Sequence, residues 1–260
     1  MDPVRSWHPT TAPEPAVRTL DRREGPHGEV VLRRRGPAAG DPDTRVAPGK
    51  PGKPGKAAGP VYEIIANGCF LMDTSDGRSE RLLVDAALNA LPPDRARPSV
   101  LIGGLGVGFS LARAAAEPRW GRIAVVEREA AVIDWHRTGP LSAISGPALA
   151  DPRTEVRHTD LVAYLREGAG QLAYDALCLD IDNGPDWTVT EDNDGLYSPA
   201  GLAACRDRLT PGGVLAVWSA RPSPEFERAL GNAGFEGVRT EEIPVARGVP
   251  DVVHLALRSA

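Results

Sequence analysis

The chain has 260 residues, 42% of them apolar and 25% charged, which is enough for one large α/β domain or one domain with a small appendage. Its net charge of −5 argues against a nucleic-acid binder that works by bulk charge. No apolar run reaches the roughly 18 residues that a membrane span needs, and MDPVRSWHPTTAPEP has no apolar segment after a basic start, so no span and no secretory leader are expected and the expected location is cytoplasmic.

Residues 1–27 show no periodic pattern and are expected to form a disordered tail. Residues 28–75 are expected to form a small β region. Within it, Gly28 to Arg34 (GEVVLRR) reads as a strand. Val61 to Asp73 reads as two strands joined at Asn67-Gly68, a pair that tolerates the φ > 0 of a tight hairpin turn. Between them, residues 36–60 form a Pro/Gly-rich insertion with too few large apolar groups to offset chain entropy, so a flexible spacer is expected there. It holds all the lysines of the chain, Lys50, Lys53 and Lys56.

Residues 76–260 alternate helical and strand patterns. Ser79 to Ala90 repeats apolar residues at helical spacing and stops before Pro92-Pro93. SVLI (99–102), IAVVE (123–127), TEVRHTD (154–160), DALCLDID (175–182) and GGVLAVWS (212–219) read as strands, with helices predicted between them and two further strands near Val238–Val245 and Val252–Leu257. Short apolar strands alternating with helices predict a Rossmann-like, doubly wound, mostly parallel sheet, here carrying a small N-terminal β-hairpin appendage. Cys69, Cys178 and Cys205 fit neither a disulfide framework nor a metal site and are expected to be small buried hydrophobes. The five histidines contain no ligand pair, so no metal is expected. Trp120, Trp135, Trp218, His158 and His254 are expected to serve packing.

Ligands of such sheets bind beyond the carboxyl ends of the strands. The first strand runs into Gly103-Gly104-Leu105-Gly106-Val107-Gly108, where backbone can approach a ligand closely. This GxGxG spacing is closer to nucleoside-sulfonium binders than to dinucleotide binders, whose third glycine is missing. The second strand ends in Glu127, 21 residues after Gly106, where a carboxylate can accept from both ribose hydroxyls. Asp160 ends the third; it can face an adenine amino group, cap the following helix, or do both. Asp180 ends the fourth, with Asp182 on the same face if the strand continues. A carboxylate there can orient an amine nucleophile and take its proton. The loop DIDNGPDWTVTEDND adds further acid that favours a cationic substrate, although Glu191 and Asp192 read as solvated charges. Trp187 either closes over a substrate or anchors this loop.

VLIGGLGVGF, VVERE, YDALCLDIDNGP and LYSPAGLAACRDRLTPGGVLAVWS, preceded by the hairpin VYEIIANGCFLMDT, together resemble the class I S-adenosylmethionine-dependent methyltransferase fold. More narrowly they resemble the spermidine synthase (polyamine aminopropyltransferase) family, over roughly residues 61–257. The resemblance implies a donor, decarboxylated S-adenosylmethionine or S-adenosylmethionine, held by Gly103, Gly104, Gly106, Gly108, Glu127, Asp160 and Asp180, with no metal. It implies a small-molecule amine or other small nucleophile as acceptor, beside Asp180 and Asp182 with Glu80 and Trp187 on the substrate side, and it allows a homodimer.

The sequence departs from that family at two places. Its first loop usually carries an acid facing the amine of the decarboxylated donor, where this chain has Gly106. Its members usually carry a tyrosine and a glutamine or histidine before the glutamate, where this chain has Arg78 and Ser79 before Glu80, and the Arg78 charge is a poor neighbour for a diamine. Three readings therefore stand: aminopropyl transfer with release of methylthioadenosine, methyl or aminocarboxypropyl transfer from ordinary S-adenosylmethionine, and nucleoside binding without catalysis; a NAD-dependent dehydrogenase is a weaker fourth, because the third glycine of its loop is missing here.

Overall fold

A computed structural model describes residues 17–36, 59–167, 172–181, 184–185, 191–243 and 249–260. Most of the expected tail and insertion, 1–16 and 37–58, lies outside them. Asn67 and Gly68, at φ 51° and 78°, turn β3 (Val61–Ala66) back onto β4 (Cys69–Asp73) as the sequence predicts. β2 (Gly28–Arg35) pairs antiparallel with β3. Asn67 ties this turn to the start of β2, accepting from the Glu29 N–H at 2.9 Å and donating to the His27 carbonyl at 3.0 Å.

Two expectations need correction here. Residues 18–25, assigned to a disordered tail, form β1 (Arg18–Gly25), which pairs with β2 to complete a four-stranded sheet in chain order. RTLDRREG has no apolar alternation and is exposed almost throughout, so hydrophobic periodicity cannot reveal it. Backbone pairing and side-chain contacts hold it: the Trp135 indole N–H donates to Asp21 and Arg23 pairs with Asp134, both at 2.8 Å. Cys69, assigned to the interior, is exposed because it opens the edge strand β4; Cys178 and Cys205 are buried and free.

The rest of the chain runs through α1 (Arg78–Ala90), β5 (Ser99–Gly103), α2 (Phe109–Ala116), β6 (Arg122–Glu127), α3 (Ala130–Arg137), α4 (Ser142–Leu149), β7 (Thr154–His158), α5 (Leu161–Arg166) and β8 (Tyr174–Leu179). It continues through α6 (Glu191–Tyr197), α7 (Pro199–Asp207), β9 (Leu209–Ser219), α8 (Pro224–Asn232), β10 (Phe235–Ile243) and β11 (Asp251–Arg258). The strands form one seven-stranded sheet in the order β10-β11-β9-β8-β5-β6-β7. β5 to β9 are parallel, and β11 is inserted antiparallel between β9 and β10. Two helices escape the sequence reading. α4 contains Pro147 and lacks an apolar stripe, and α6 (EDNDGLY) is largely polar.

Alternate residues of each central strand serve opposite layers. Val100, Ile102, Ile123, Val125, Ala176 and Cys178 pack with α1 to α4, whereas Leu101, Ala124, Val126, Leu177 and Leu179 pack with α5 to α8. Each fully buried aliphatic side chain contributes roughly 1.5–3 kcal/mol, and the two layers leave no strand face uncovered at the sheet centre. Among the described residues no helix is long and apolar enough to cross a membrane.

Strand order decides where a ligand fits. The chain leaves β5 for β6 and β7 on one side, then returns to β8 on the other. A crevice therefore opens above the carboxyl ends of β5 and β8. At the opposite end Asp175 fastens β5, β8 and β9 together. It accepts from the Ser99 N–H at 2.7 Å, from Thr210 Oγ1 at 2.8 Å and from Arg95 at 2.5 Å.

Candidate active site

The crevice is a cleft of about 310 Å³, bounded by the carboxyl ends of the parallel strands and by the N-terminal sheet. Gly104, Gly106, Glu127, Asp160, Asp180 and Glu80 all line it. Gly103 lies beneath, where a Cβ would stand 2.6 Å from Leu161, and Gly108 borders a void of about 10 Å³ beside the cleft. Asp182 and Trp187 lie outside the described residues, and β8 ends at Leu179, so the shared strand face proposed for Asp180 and Asp182 is not formed by β8.

One end of the cleft suits a nucleoside. Glu127 is buried, and each of its oxygens accepts one loop N–H, from Leu105 at 2.9 Å and from Glu129 at 2.8 Å. A carboxylate has about four acceptor sites, so this leaves capacity for ligand hydroxyls. Burial raises the Glu127 pKa, against the lowering effect of those two N–H groups. Asp160 caps α5, accepting from the Ala163 N–H at 2.7 Å, and still lines the cleft, so the capping role is present and the ligand-facing position is retained. Val126, Val132, Leu161 and Ile181 supply apolar wall between these acids. Gly104 sits at φ 91°, and a Cβ there would meet the Asp180 carbonyl at 2.8 Å. The loop can therefore lie this close to β8 only without a side chain at 104.

The other end is acidic. Asp180 keeps part of its surface open to the cleft and is otherwise enclosed; burial, then the charges of Glu80 and Asp251, push its pKa up to about 8. Glu80, in the first turn of α1, is itself raised by burial. Asp251 opens β11 and accepts from Ser79 Oγ at 2.8 Å. Three carboxyls from three separate elements thus face one volume. Arg78 also lines the cleft, but its guanidinium makes a two-point pair with Asp76, at 2.8 and 2.7 Å, so its charge is offset locally. Its expected repulsion of a cation is reduced accordingly.

Met72 marks the place where the loop differs from its expected pattern. A Cβ at Gly106 would lie 2.5 Å from the Met72 sulfur, so the thioether of β4 fills the space that a side chain at 106 would take. Asp251, Met72, Ser79, Asn193 and Trp218 line the cleft without having been singled out as site residues in the sequence. For Asp251 the missing clue is directional. β11 runs antiparallel, so its first residue, not its last, lies at the ligand end.

No family model matches the chain, and no curated protein matches it in sequence. In structure it is similar to a spermidine synthase in complex with the transition state analogue AdoDATO, at 17% identity and TM-score 0.67, covering 93% of this chain and 74% of that one. It is similar to the spermidine synthase from Thermotoga maritima, at 17% identity and TM-score 0.66, covering 93% and 73%. It is also similar to the N-methyltransferase NodS from Bradyrhizobium japonicum WM9, at 14% identity and TM-score 0.51, covering 72% and 100%. The fold expected from the sequence motifs is the fold these structures share.

Proposed function

We propose that the chain is a transferase that moves an aminopropyl group from decarboxylated S-adenosylmethionine to a small-molecule amine and releases methylthioadenosine. The observation that carries this reading is that the carboxyl residues Asp180, at the tip of β8, Glu80 and Asp251 line one cleft, an enclosure that raises the Asp180 pKa to about 8. Such a site disfavours its own negative charge when empty and takes up a cation readily. A pKa of about 8 narrows the gap to an alkyl ammonium to about two pH units, from about six for an ordinary carboxyl, so passing the proton from amine to Asp180 costs less and the neutral nucleophile is accessible. Glu127 and the glycine loop suit the ribose and sulfonium end, and Asp160 with the apolar wall suits the base. The donor supplies an electrophilic carbon: the amine nitrogen bonds to it, its bond to sulfur breaks, and the electron pair stays on sulfur as a neutral thioether. Asp180 receives the surplus proton of the nitrogen. The chain's remaining task is to align the two partners in line and keep water out. The likeness to spermidine synthases supports this reading at the level of fold.

A second reading, methyl transfer from ordinary S-adenosylmethionine, is favoured by one observation. Gly106 offers no acid to the donor's tail, and the neutral Met72 thioether occupies that space. One assay separates the two. Purified protein is given each donor with a panel of amines, and methylthioadenosine and S-adenosylhomocysteine are both quantified. Methylthioadenosine from the decarboxylated donor is the expected product. S-adenosylhomocysteine would replace the first reading by the second, and absence of both binding and product would remove both.

A further inference from the structure

Glycines let the loop approach a nucleoside, but they leave its peptide orientations weakly determined. Gly104, Gly106 and Gly108 stand at φ 91°, 50° and 95°. Turns built on glycine exchange one peptide orientation for the other at little steric cost. A group outside the loop must choose.

The peptide between Gly106 and Val107 is held at both ends. Its carbonyl accepts from His136 Nε2 at 2.8 Å, and its N–H donates to the Met72 sulfur at 3.2 Å. A trans peptide sets C=O and N–H in opposite directions, so the two contacts specify the same orientation. Met72 lines the cleft, whereas His136 is fully buried. The carbonyl is therefore on the buried side and the N–H on the cleft side.

His136 is equipped to hold that carbonyl. A carbonyl oxygen only accepts, so Nε2 carries the hydrogen and Nδ1 is the acceptor. Nδ1 lies 2.6 Å from Ser145 Oγ, which donates to it, and Ser145 is also fully buried. Burial holds the ring below the usual histidine pKa, against the raising effect of the Gly106 and Leu141 backbone groups, which favours the neutral ring. The imidazole also explains the last glycine of the loop: a Cβ at 108 would stand 2.8 Å from His136 Cε1 and 2.9 Å from Ser145 Cβ.

We propose that His136, backed by Ser145, is a positioning residue that orients the 106–107 peptide and so sets the floor of the donor site. The proposal rests on the reading of the cleft as a site for S-adenosyl compounds. His136 is buried and is not among the residues that line the cleft. Without its N–H, the Gly106 carbonyl loses its buried partner. A flipped peptide would then present an oxygen to a cleft that already holds Glu80 and Asp180.

The test titrates native protein, His136→Leu, His136→Gln and Ser145→Ala with methylthioadenosine and with S-adenosylhomocysteine by calorimetry, alongside Tm for each. His136→Leu should weaken binding by about ten-fold or more, the effect of losing one buried hydrogen-bond partner. His136→Gln keeps an N–H for the carbonyl and should recover most of the affinity. Ser145→Ala should give a smaller loss of affinity, with a fall in Tm because the buried Nδ1 is left without its donor. Native affinity in His136→Leu, or equal losses in the Leu and Gln variants, overturns the positioning role. Should Leu at 136 prevent folding, the other two variants decide, and native affinity in Ser145→Ala then overturns it. Failure of the native chain to bind either compound removes the reading of the cleft and this proposal together, whereas binding by native and His136→Leu alike removes only the proposal.

Discussion

Asp180 ties chemistry to a measurable titration. Its carboxyl is enclosed at the tip of β8 and faces the charges of Glu80 and Asp251, which places its pKa at about 8. The free protein should therefore show kcat/KM rising with pH until about 8, as the base form becomes populated. Asp180→Asn should lower kcat by roughly 10²–10⁴-fold, the usual contribution of a positioned acid–base group, while donor affinity stays near native. Glu80→Gln removes a like charge, so the limb should move to lower pH. A limb that stays in place in Glu80→Gln would mean that Glu80 does not act on Asp180. Both Glu127 and Asp180 are legible in the sequence because each ends a parallel strand after an apolar run. Asp251 is not, because an antiparallel strand reverses the rule, and Met72 is not, because only packing brings β4 against the glycine loop.

The elements divide in the same way. Strands of the central sheet announce themselves by runs such as VLIG and IAVVE, which both helix layers bury. β1 does not, since its stability comes from pairing with β2 and from contacts across to α3 rather than from burial. The Trp135 indole draws the Asp21 carboxyl below its usual pKa, and Arg23 pairs with Asp134 beside it. This docking matters for the cleft: His27 and Glu29, at the β1–β2 turn, line it, and Gly25 lies against Glu129. Trp135→Phe keeps the ring's bulk and deletes its donor. It should cost about 1 kcal/mol, seen as a small fall in Tm, and should speed amide hydrogen exchange across residues 18–25 while β5 to β8 remain protected. Unchanged exchange in β1 would show that backbone pairing alone holds it.

At the scale of the whole molecule, the two ends of the sheet carry opposite electrostatic consequences. Asp175, at the amino ends of β5 and β8, is held below the usual carboxylate range: its hydrogen bonds outweigh its burial, and its charge supports the fold. At the carboxyl ends, Glu80, Glu127 and Asp180 are all raised by burial. For such groups the folded chain keeps protons that the unfolded chain releases, so stability falls as pH rises between the two pKa values. For Asp180 that window runs from about 4, the unfolded carboxylate value, to about 8. Asparagine at 180 has no proton to lose. The Tm of Asp180→Asn should therefore exceed that of native protein by an amount that grows from pH 5 to about 8 and is constant above it. His136 and the buried Cys205 also alter stability with pH, but they are present in both proteins and cancel in the difference; Cys178, which burial and then the Asp180 charge raise, ionises only above this window. A difference independent of pH would show that Asp180 keeps an ordinary carboxylate pKa, which would leave it too weak a base to take the amine proton at low cost. An ammonium ligand that binds beside Asp180 should narrow the gap near pH 8, because it stabilises the ionised carboxylate of native protein and finds no such charge in the variant.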